Sequence, residues 1–391
     1  MTVVPGRPPY PAVDFARFHD GRVQALAEQH ADLLADSLER LDPLAVTVAG
    51  ASATYRASGG RVVIEPGVAD DAATAALVEP DAWSDWLHEL HSNMGLVYGS
   101  MVEFDRGGFD GFAAWEPALR AVWCGRPARV PAPDSGSRAD GPFTLADDDA
   151  ELSASLDENG FLHVAGVFTG EEIADLRVEA DRLAAAARPD DSRSWWATTG
   201  EGEDVCCRLI YNEERSSVIA ALIGDARLER IAALGEEPVR LAADRLDGLS
   251  IVVKPPDVAR GLADLPFHRD CGMGGHPIMC PAVNVGIQLD AASPESGCLR
   301  FAPGSHRSSQ PPPRLDDPDI VTVETEPGDV TVHYGHVLHQ APPPEGDGGR
   351  RALYAFFVKD EAFARIPAGQ GYNDVLFAEA GDGRVTNLAD T

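Results

Sequence analysis

No stretch of this sequence runs apolar for the roughly 18 residues that a membrane-spanning helix needs, so stable membrane insertion is not expected. Basic residues are scarce as well. Only 32 Lys and Arg stand against 63 Asp and Glu, and the formal charge of −31 repels nucleic-acid phosphates and anionic lipid alike. No long acidic tract concentrates that charge, which therefore reads as a solvated surface and not as an acidic interaction site. The opening MTVVPGRPPYPAVDF has no basic segment followed by an apolar core, so no secretory signal is expected. Six cysteines are few for 391 residues and form no C-x-x-C pair, which points to free thiols in a reducing cytoplasm. Cys271, Cys280 and Cys298 fall near one another, but their spacing matches no zinc site.

What the chain does contain is ordinary globular material, 44% hydrophobic and 24% charged, over a length that suggests two domains. Residues 125–149 are rich in Pro, Gly, Ser and Asp, the composition of an exposed linker. The expected organisation is an α+β domain over 1–126, a linker over 127–149 and a strand-rich domain over 150–391. The first domain is expected to fold separately and to supply no metal ligand. Residues 13–41 carry apolar side chains at helical spacing, and LAVTVAG, ATYRA, RVVIE and TAALV predict a strand meander behind that helix. Pro80 opens a further helix, MVEFDRG reads as a strand, and FDGFAAWEPALRAVW as an amphipathic helix.

Beyond the linker, Thr169 with Glu172 forms the N-terminal signature of a long amphipathic helix. LSIVVKPP, AVNVGIQLDAA, GCLRFAPGSH, DIVTVETEPGDVTVHYG and RRALYAFFVK then predict a closed or sandwiched β architecture with helices outside it. The proline-rich 308–318 reads as a surface loop.

The chemistry concentrates in PFHRDCG and, some seventy positions on, in VHYGHVLH. His268 and Asp270 lie two apart, so on an extended segment both side chains leave the same face and can share one metal. A second histidine from a distant strand completes a facial set of two histidines and one carboxylate. Such a set leaves three adjacent positions open on Fe(II) for a bidentate oxo-acid and O2. His333, His336 and His339 all compete for that place. Arg350 opens the strand that follows and is shaped to clamp the far carboxylate of 2-oxoglutarate, whereas alternation turns Arg351 the other way. Trp195, Trp196 and Arg208 are candidate pocket walls, with plain packing the preferred reading of each.

Two resemblances extend this reading. The strand leading into PDAW and DWL, with the late G-x-x-x-x-F-D-R-G strand, resembles the sterol-carrier-protein-2-like domain over about residues 14–126. That resemblance implies helices wrapped over a mixed sheet and an apolar tunnel. Packing of Trp83, Trp86, Leu87, Phe104, Phe109 and Trp115 into a plain core is preferred to the tunnel. The second unit resembles the phytanoyl-CoA dioxygenase family over about residues 156–359, through KPP at 254–256, His268-x-Asp270, the E-S-G-C-L-x-F-x-P-G-S-H run at 295–306, Gly328-Asp329, Leu338-His339 and R-A-L at 351–353.

This second resemblance implies a double-stranded β-helix, a jelly-roll-like barrel with flanking helices and iron at one mouth. It implies His268, Asp270 and His339 as ligands and Arg350 as the 2-oxoglutarate clamp, and it leaves Lys254 either near the cosubstrate or bracing its strand. The sequence departs from the family twice. Ala341 stands where a small hydroxylic residue is common, and Gly286-Ile287-Gln288-Leu289-Asp290 replaces W-I-A-L-D. Asn284, Gly286 and Gln288 share a strand face, so an enlarged pocket with an added amide near the iron and cosubstrate is expected. Halogenating relatives lack the carboxylate, so Asp270 favours hydroxylation, with desaturation, cyclisation and epoxidation left open. His306 reads as a turn brace, His333 as a neighbour of the ligands, and His276 as a loop residue within reach of substrate. The expected substrate is an apolar small molecule and a homo-oligomer stays open. The competing readings are a lipid carrier with a non-catalytic barrel and a metal-dependent barrel enzyme that needs no oxo-acid.

Overall fold

The computed structural model describes residues 11–128 and 141–368, apart from positions 40, 236, 261–264, 273–277, 280, 281, 346, 347, 361, 362, 364, 365 and 367. His276, Cys280 and the middle of the expected linker thus lie outside the described residues.

Over 13–41 the helical pattern does not give one helix. Phe15–Arg17, a wide turn Phe18–Arg22 and Val23–Gln29 follow one another with a kink at Asp20 and Gly21, where Gly21 adopts a φ of 87°. The strands β1 (Leu44–Val48), β2 (Ala51–Ser58), β3 (Arg61–Pro66), β4 (Thr74–Val78) and β5 (Val102–Arg106) form one sheet in the order β3-β2-β1-β4-β5. The expected meander holds for the first three strands only. β4 returns to pair parallel with β1, and both central strands are nearly continuous apolar runs, LAVTV and TAALV, as strands covered on two faces require. Against the sheet, Trp83, Trp86, Phe112, Trp115 and Trp123 are buried in one core, with ring centroids 4.8 Å apart for Trp86 and Trp123 and 5.3 Å for Trp83 and Trp123. Such edge-to-face pairs contribute about 0.5–1.5 kcal/mol each beyond their burial. The aromatic rings make a packed core.

The second unit stacks two sheets. Its strands are β6 (Phe161–Val164), β7 (Ser194–Thr199), β8 (Asp204–Leu209), β9 (Arg240–Leu241), β10 (Ser250–Lys254), β11 (Val258–Arg260), β12 (Leu265–His268), β13 (Val283–Gln288), β14 (Leu299–Phe301), β15 (Val321–Val323), β16 (Val330–Tyr334), β17 (His339–Ala341) and β18 (Arg350–Val358). The larger sheet runs β11-β7-β8-β10-β18-β13-β16-β6 with β9 beside β18, and the smaller runs β12-β17-β14-β15. All their pairings are antiparallel. Phe301 of β14 stacks on Phe161 of β6 at 4.3 Å, which closes the two sheets face to face. The helix Gly170–Ala186, with its Thr169 and Glu172 capping box, buries Ile173, Leu176, Ala180 and Leu183 in the core that includes Val285, Val332 and Leu353 of the larger sheet.

The two units meet through backbone. The Ser92 N–H donates to the Gly272 carbonyl at 2.8 Å and the Ile278 N–H to the Glu89 carbonyl at 2.7 Å. A Cβ on Gly95 would lie 2.1 Å from the Gly272 oxygen, so neither side has room for more than glycine there. The ends of the expected linker are docked as well. Pro127 accepts the Ser309 N–H at 2.8 Å, Ala128 is 1% exposed, and Phe143 bridges to Val164 of β6. The proline-rich 308–318 likewise begins inside the molecule, with Ser308 and Ser309 buried and Ser309 Oγ donating to the Pro117 carbonyl at 3.1 Å. Composition marked both segments as exposed, but short polar side chains such as serine satisfy backbone carbonyls when buried.

Candidate active site

β12 and β17 run antiparallel in the smaller sheet with His268 and His339 as direct register partners, and their rings lie 4.3 Å apart. Asp270 follows two residues on, at 3.5 Å from His268 Nε2 and 3.6 Å from His339 Nε2 through Oδ1. One donor atom from each of the three lies within 4.8 Å of the others. Two donors bonded to a single first-row ion at about 2.1 Å each lie at most about 4.2 Å apart. The carboxylate-to-imidazole distances meet that limit, so the residues present fit a bound iron.

The surroundings fix how each donor points. His339 Nδ1 lies 3.1 Å from the Val337 carbonyl, which selects the tautomer that leaves Nε2 free to ligate. The outer oxygen of Asp270, Oδ2, takes a hydrogen bond from Asn284 Nδ2 at 3.1 Å and lies 3.2 Å from His333 Nε2. Burial opposes ionisation of Asp270, but His339, His268 and His333 outweigh it and hold the carboxyl well below its usual range. Burial lowers His339 to about 3, so it stands neutral and ready to donate a lone pair.

Of the competing histidines, His333 touches Asp270 and His336 does not join the cluster. His336 packs against Tyr334 and His306 instead. His306 braces the fold through Nε2, 2.8 Å from the Asp157 carbonyl.

Arg350 is 2% exposed and donates Nε to the Gly297 carbonyl at 3.0 Å. Among the described residues no carboxylate forms an ion pair with it. Its register partner on β10 is Lys254, which donates Nζ to the carbonyls of Ala341 and Pro342. Arg351, by contrast, pairs outward with Asp290 at 2.8 Å and with Asp181. The three ligand candidates, Arg350 and Lys254 all line one cavity of about 190 Å³.

Two expectations need correction. Gln288 is not part of that lining, because its amide donates to Thr331 Oγ1 at 3.1 Å and to the Gly286 carbonyl at 3.2 Å. Gly286 does not enlarge the pocket either. A Cβ there would meet Tyr354 Cε1 at 2.6 Å, so the tyrosine ring already occupies the space that a side chain at 286 would fill. The amide near the metal is that of Asn284.

Sequence reasoning missed two contributors. Arg269, between two ligand candidates, donates to the carbonyls of His336, Ser305, Ser308 and Gln310 and so ties the segment of His268 and Asp270 to its neighbours. Burial, helped by Arg120, lowers it to about 9, and it stays cationic at neutral pH. Strand alternation beside His268 was the available signal. Met94 also lines the cavity, from the first unit, and nothing in its sequence context announces that.

Two stacked antiparallel sheets with two histidines and one aspartate converging between them are the architecture of a mononuclear non-haem iron oxygenase. The family model described as phytanoyl-CoA dioxygenase matches residues 156–352, and the chain belongs to that family. Iron and 2-oxoglutarate are its cofactors. Over 88 residues the chain is 27% identical to the dioxygenase lolE1 of Epichloe uncinata, covering 20% of this chain and 34% of that protein. It thus spans about a third of the length of the curated relative it matches. Among solved structures, AviO1 from Streptomyces viridochromogenes Tue57 is 26% identical, with 56% of this chain and 98% of that one covered at a TM-score of 0.43. EvdMO1 is 26% identical over 54% of this chain and 50% of its own, with a TM-score of 0.44. The α-ketoglutarate-dependent epimerase SnoN from nogalamycin biosynthesis is 24% identical over 54% and 80%, with a TM-score of 0.41. No helix among the described residues is long and apolar enough to cross a membrane.

Proposed function

We propose that this protein hydroxylates an unactivated C–H bond of an apolar small molecule, using Fe(II), 2-oxoglutarate and O2. The observation that carries the reading is that the metal-shaped cluster shares its cavity with Arg350, a buried guanidinium that pairs with no carboxylate among the described residues. An uncompensated buried cation is costly, and a dicarboxylate cosubstrate supplies the missing charge.

In this proposal His268, Asp270 and His339 hold the iron, which when bound supplies O2 activation coupled to decarboxylation of the oxo-acid. Asn284 and His333 fix the outer oxygen of Asp270, so that Oδ1 stays turned toward the two histidines. Arg350 holds the far carboxylate, and Lys254 fixes the carbonyls of Ala341 and Pro342 beside it. Asp270 fills the place a halide would take, which favours hydroxylation. We read the first unit as similar to sterol carrier proteins in fold only. Its aromatic core is packed, and we assign it the Met94 wall of the cavity and no lipid cargo. We place the protein in the cytoplasm, where thiols such as Cys206 and Cys207, pushed up to about 12 by burial, stay reduced.

Anaerobic addition of Fe(II) and 2-oxoglutarate to the full chain should give the weak visible metal-to-ligand charge-transfer band of a chelated oxo-acid. His268→Ala, Asp270→Ala and His339→Ala should each abolish it. Absence of the band in the wild-type protein, with metal bound by independent assay, would sink the proposal.

A further inference from the structure

At the other end of the cavity stands a second polar group that the iron chemistry does not use. Trp195 of β7 and Arg208 of β8 are register partners, and the guanidinium lies over the indole ring at 5.0 Å from its centroid. Asp247, 0% exposed, pairs with Arg208 at 2.9 Å, and Ser250 Oγ accepts from Arg208 at 3.4 Å. All four residues line the cavity. Two of their donors, Arg208 Nε and Trp195 Nε1, are buried with no hydrogen-bond partner. A buried donor left unmade costs about 1–3 kcal/mol, and two on adjacent strands at one cavity wall imply an acceptor that arrives from outside.

The backbone that carries Asp247 supports a functional reading. Leu246 and Asp247 hold φ values of 53° and 76°, and Tyr211, whose N–H donates to the Asp247 carbonyl at 2.8 Å, holds 50°. Left-handed backbone at non-glycine residues costs about 1–3 kcal/mol apiece and persists where a site has to be pre-formed. Here it holds the carboxylate against Arg208.

Charge decides what kind of acceptor fits. Asp247 neutralises Arg208, so this end offers N–H groups without net charge, and a carboxylate here would face a buried carboxylate. The opposite end, with Arg350 and Lys254, carries the positive charge. Two strands and two residues separate Arg208 from Arg350 in the sheet, roughly 12 Å between their Cα atoms.

We infer that Trp195 and Arg208, held by Asp247, form a substrate subsite that reads an uncharged oxygen acceptor, the carbonyl of an amide, ketone or ester. The substrate class is then an apolar molecule carrying one such oxygen at a fixed reach from the C–H bond that faces the iron site. The inference deepens the proposed hydroxylation and rests on it for the identity of the occupant as substrate.

The test uses the full chain with Fe(II) and saturating 2-oxoglutarate under anaerobic conditions, so that the Arg350 end is filled. Three matched probes, cyclohexanecarboxamide, cyclohexanecarboxylate and methylcyclohexane, are titrated by calorimetry. The carboxamide should bind at least tenfold more tightly than the carboxylate, and Arg208→Met and Trp195→Phe should each weaken it at least tenfold while leaving methylcyclohexane unchanged. Trp195→Phe keeps a ring under the guanidinium and removes only the N–H, so it carries the test if Arg208→Met fails to fold. Tighter binding of the carboxylate, carboxamide affinity unchanged in Trp195→Phe, or no carboxamide binding to the wild type would each overturn the inference. The charge-transfer band is read on the same samples. Its loss with carboxamide binding intact strikes the hydroxylase reading, and its persistence without carboxamide binding strikes only this subsite.

Discussion

Arg350 and Arg351 are chain neighbours with opposite surroundings, and this single step of strand alternation separates a residue of the cavity lining from one paired outward. Arg350→Ala is expected to keep the metal and weaken 2-oxoglutarate by about 10- to 100-fold, the loss of a charge-assisted carboxylate contact of about 1.5–3 kcal/mol. Arg351→Ala should leave cosubstrate affinity unchanged and lower stability slightly, because its partners are partly exposed. Titrating the charge-transfer band in both variants decides it, and equal losses would contradict the assignment. That contrast was legible in the sequence, as was the His268 and Asp270 pair, because strand alternation is a local rule. Gln288 misled because the same rule names only a face. Thr331, on a strand 43 positions further on, captures its amide. The orphaned donors of Trp195 and Arg208 were invisible for the same reason: a missing partner exists only once everything else is packed.

Strand β13 shows how one element shapes the cavity by what it omits. Gly286 leaves room for the Tyr354 ring, and a Cβ would also approach Thr331 Oγ1 at 2.9 Å. Gly286→Val is therefore expected to destabilise by about 1–3 kcal/mol through overpacking and to push Tyr354 toward the cavity. Thermal unfolding and the carboxamide titration together check it, and an unchanged Tm would show that the ring yields without cost. At this scale the sequence was a fair guide where pattern and tertiary demand agree, as in the Thr169 capping box and the strand runs of the second unit. It failed where one glycine breaks a helix at position 21 and where β4 crosses back to β1. Apolar periodicity records burial, not order of pairing.

For the whole molecule, two neutral histidines, His306 buried and His19 half-buried, set the response to acid. Burial lowers His19 to about 4 against its contact with the Phe15 carbonyl, and lowers His306 to about 4 against the Asp157 carbonyl. An unfolded histidine titrates near about 6.5, so the unfolded chain gains protons first as pH falls. Stability is full above about pH 6.5 and is lost between there and pH 4, by up to about 3 kcal/mol per histidine. Metal-free His339, lowered to about 3 chiefly by burial, adds in the same direction. Glu213, raised to about 7 by burial, acts oppositely between about pH 4.5 and 7, and one such group leaves the net slope toward acid loss. The Tm of the metal-free protein should fall from pH 6.5 to pH 5, and His306→Asn should show a smaller fall. Equal falls would refute the assignment.

The two units are also coupled at Glu89. Glu89 and Arg120 form a buried pair at 2.8 Å within the first unit, and the Glu89 backbone carbonyl accepts from Ile278 of the second, eight residues beyond Asp270. Glu89→Gln leaves Arg120 with a weaker partner and should cost about 3–5 kcal/mol. If the first unit stood apart, Fe(II) affinity would not change. Weakened metal binding is expected instead, and unchanged affinity in a destabilised variant would restore the picture of two independent domains.

The approach of Gly95 to Gly272 has a practical corollary for anyone recombining this protein with its relatives. A barrel transplanted without its own first unit, or a first unit grafted onto another barrel, keeps the join only if both chains bring a glycine to it, since a single methyl group on residue 95 wedges the halves apart at the wall of the reaction chamber. The seam works as a two-part key, and its compatibility can be read from two letters of each parent sequence before any chimera is made.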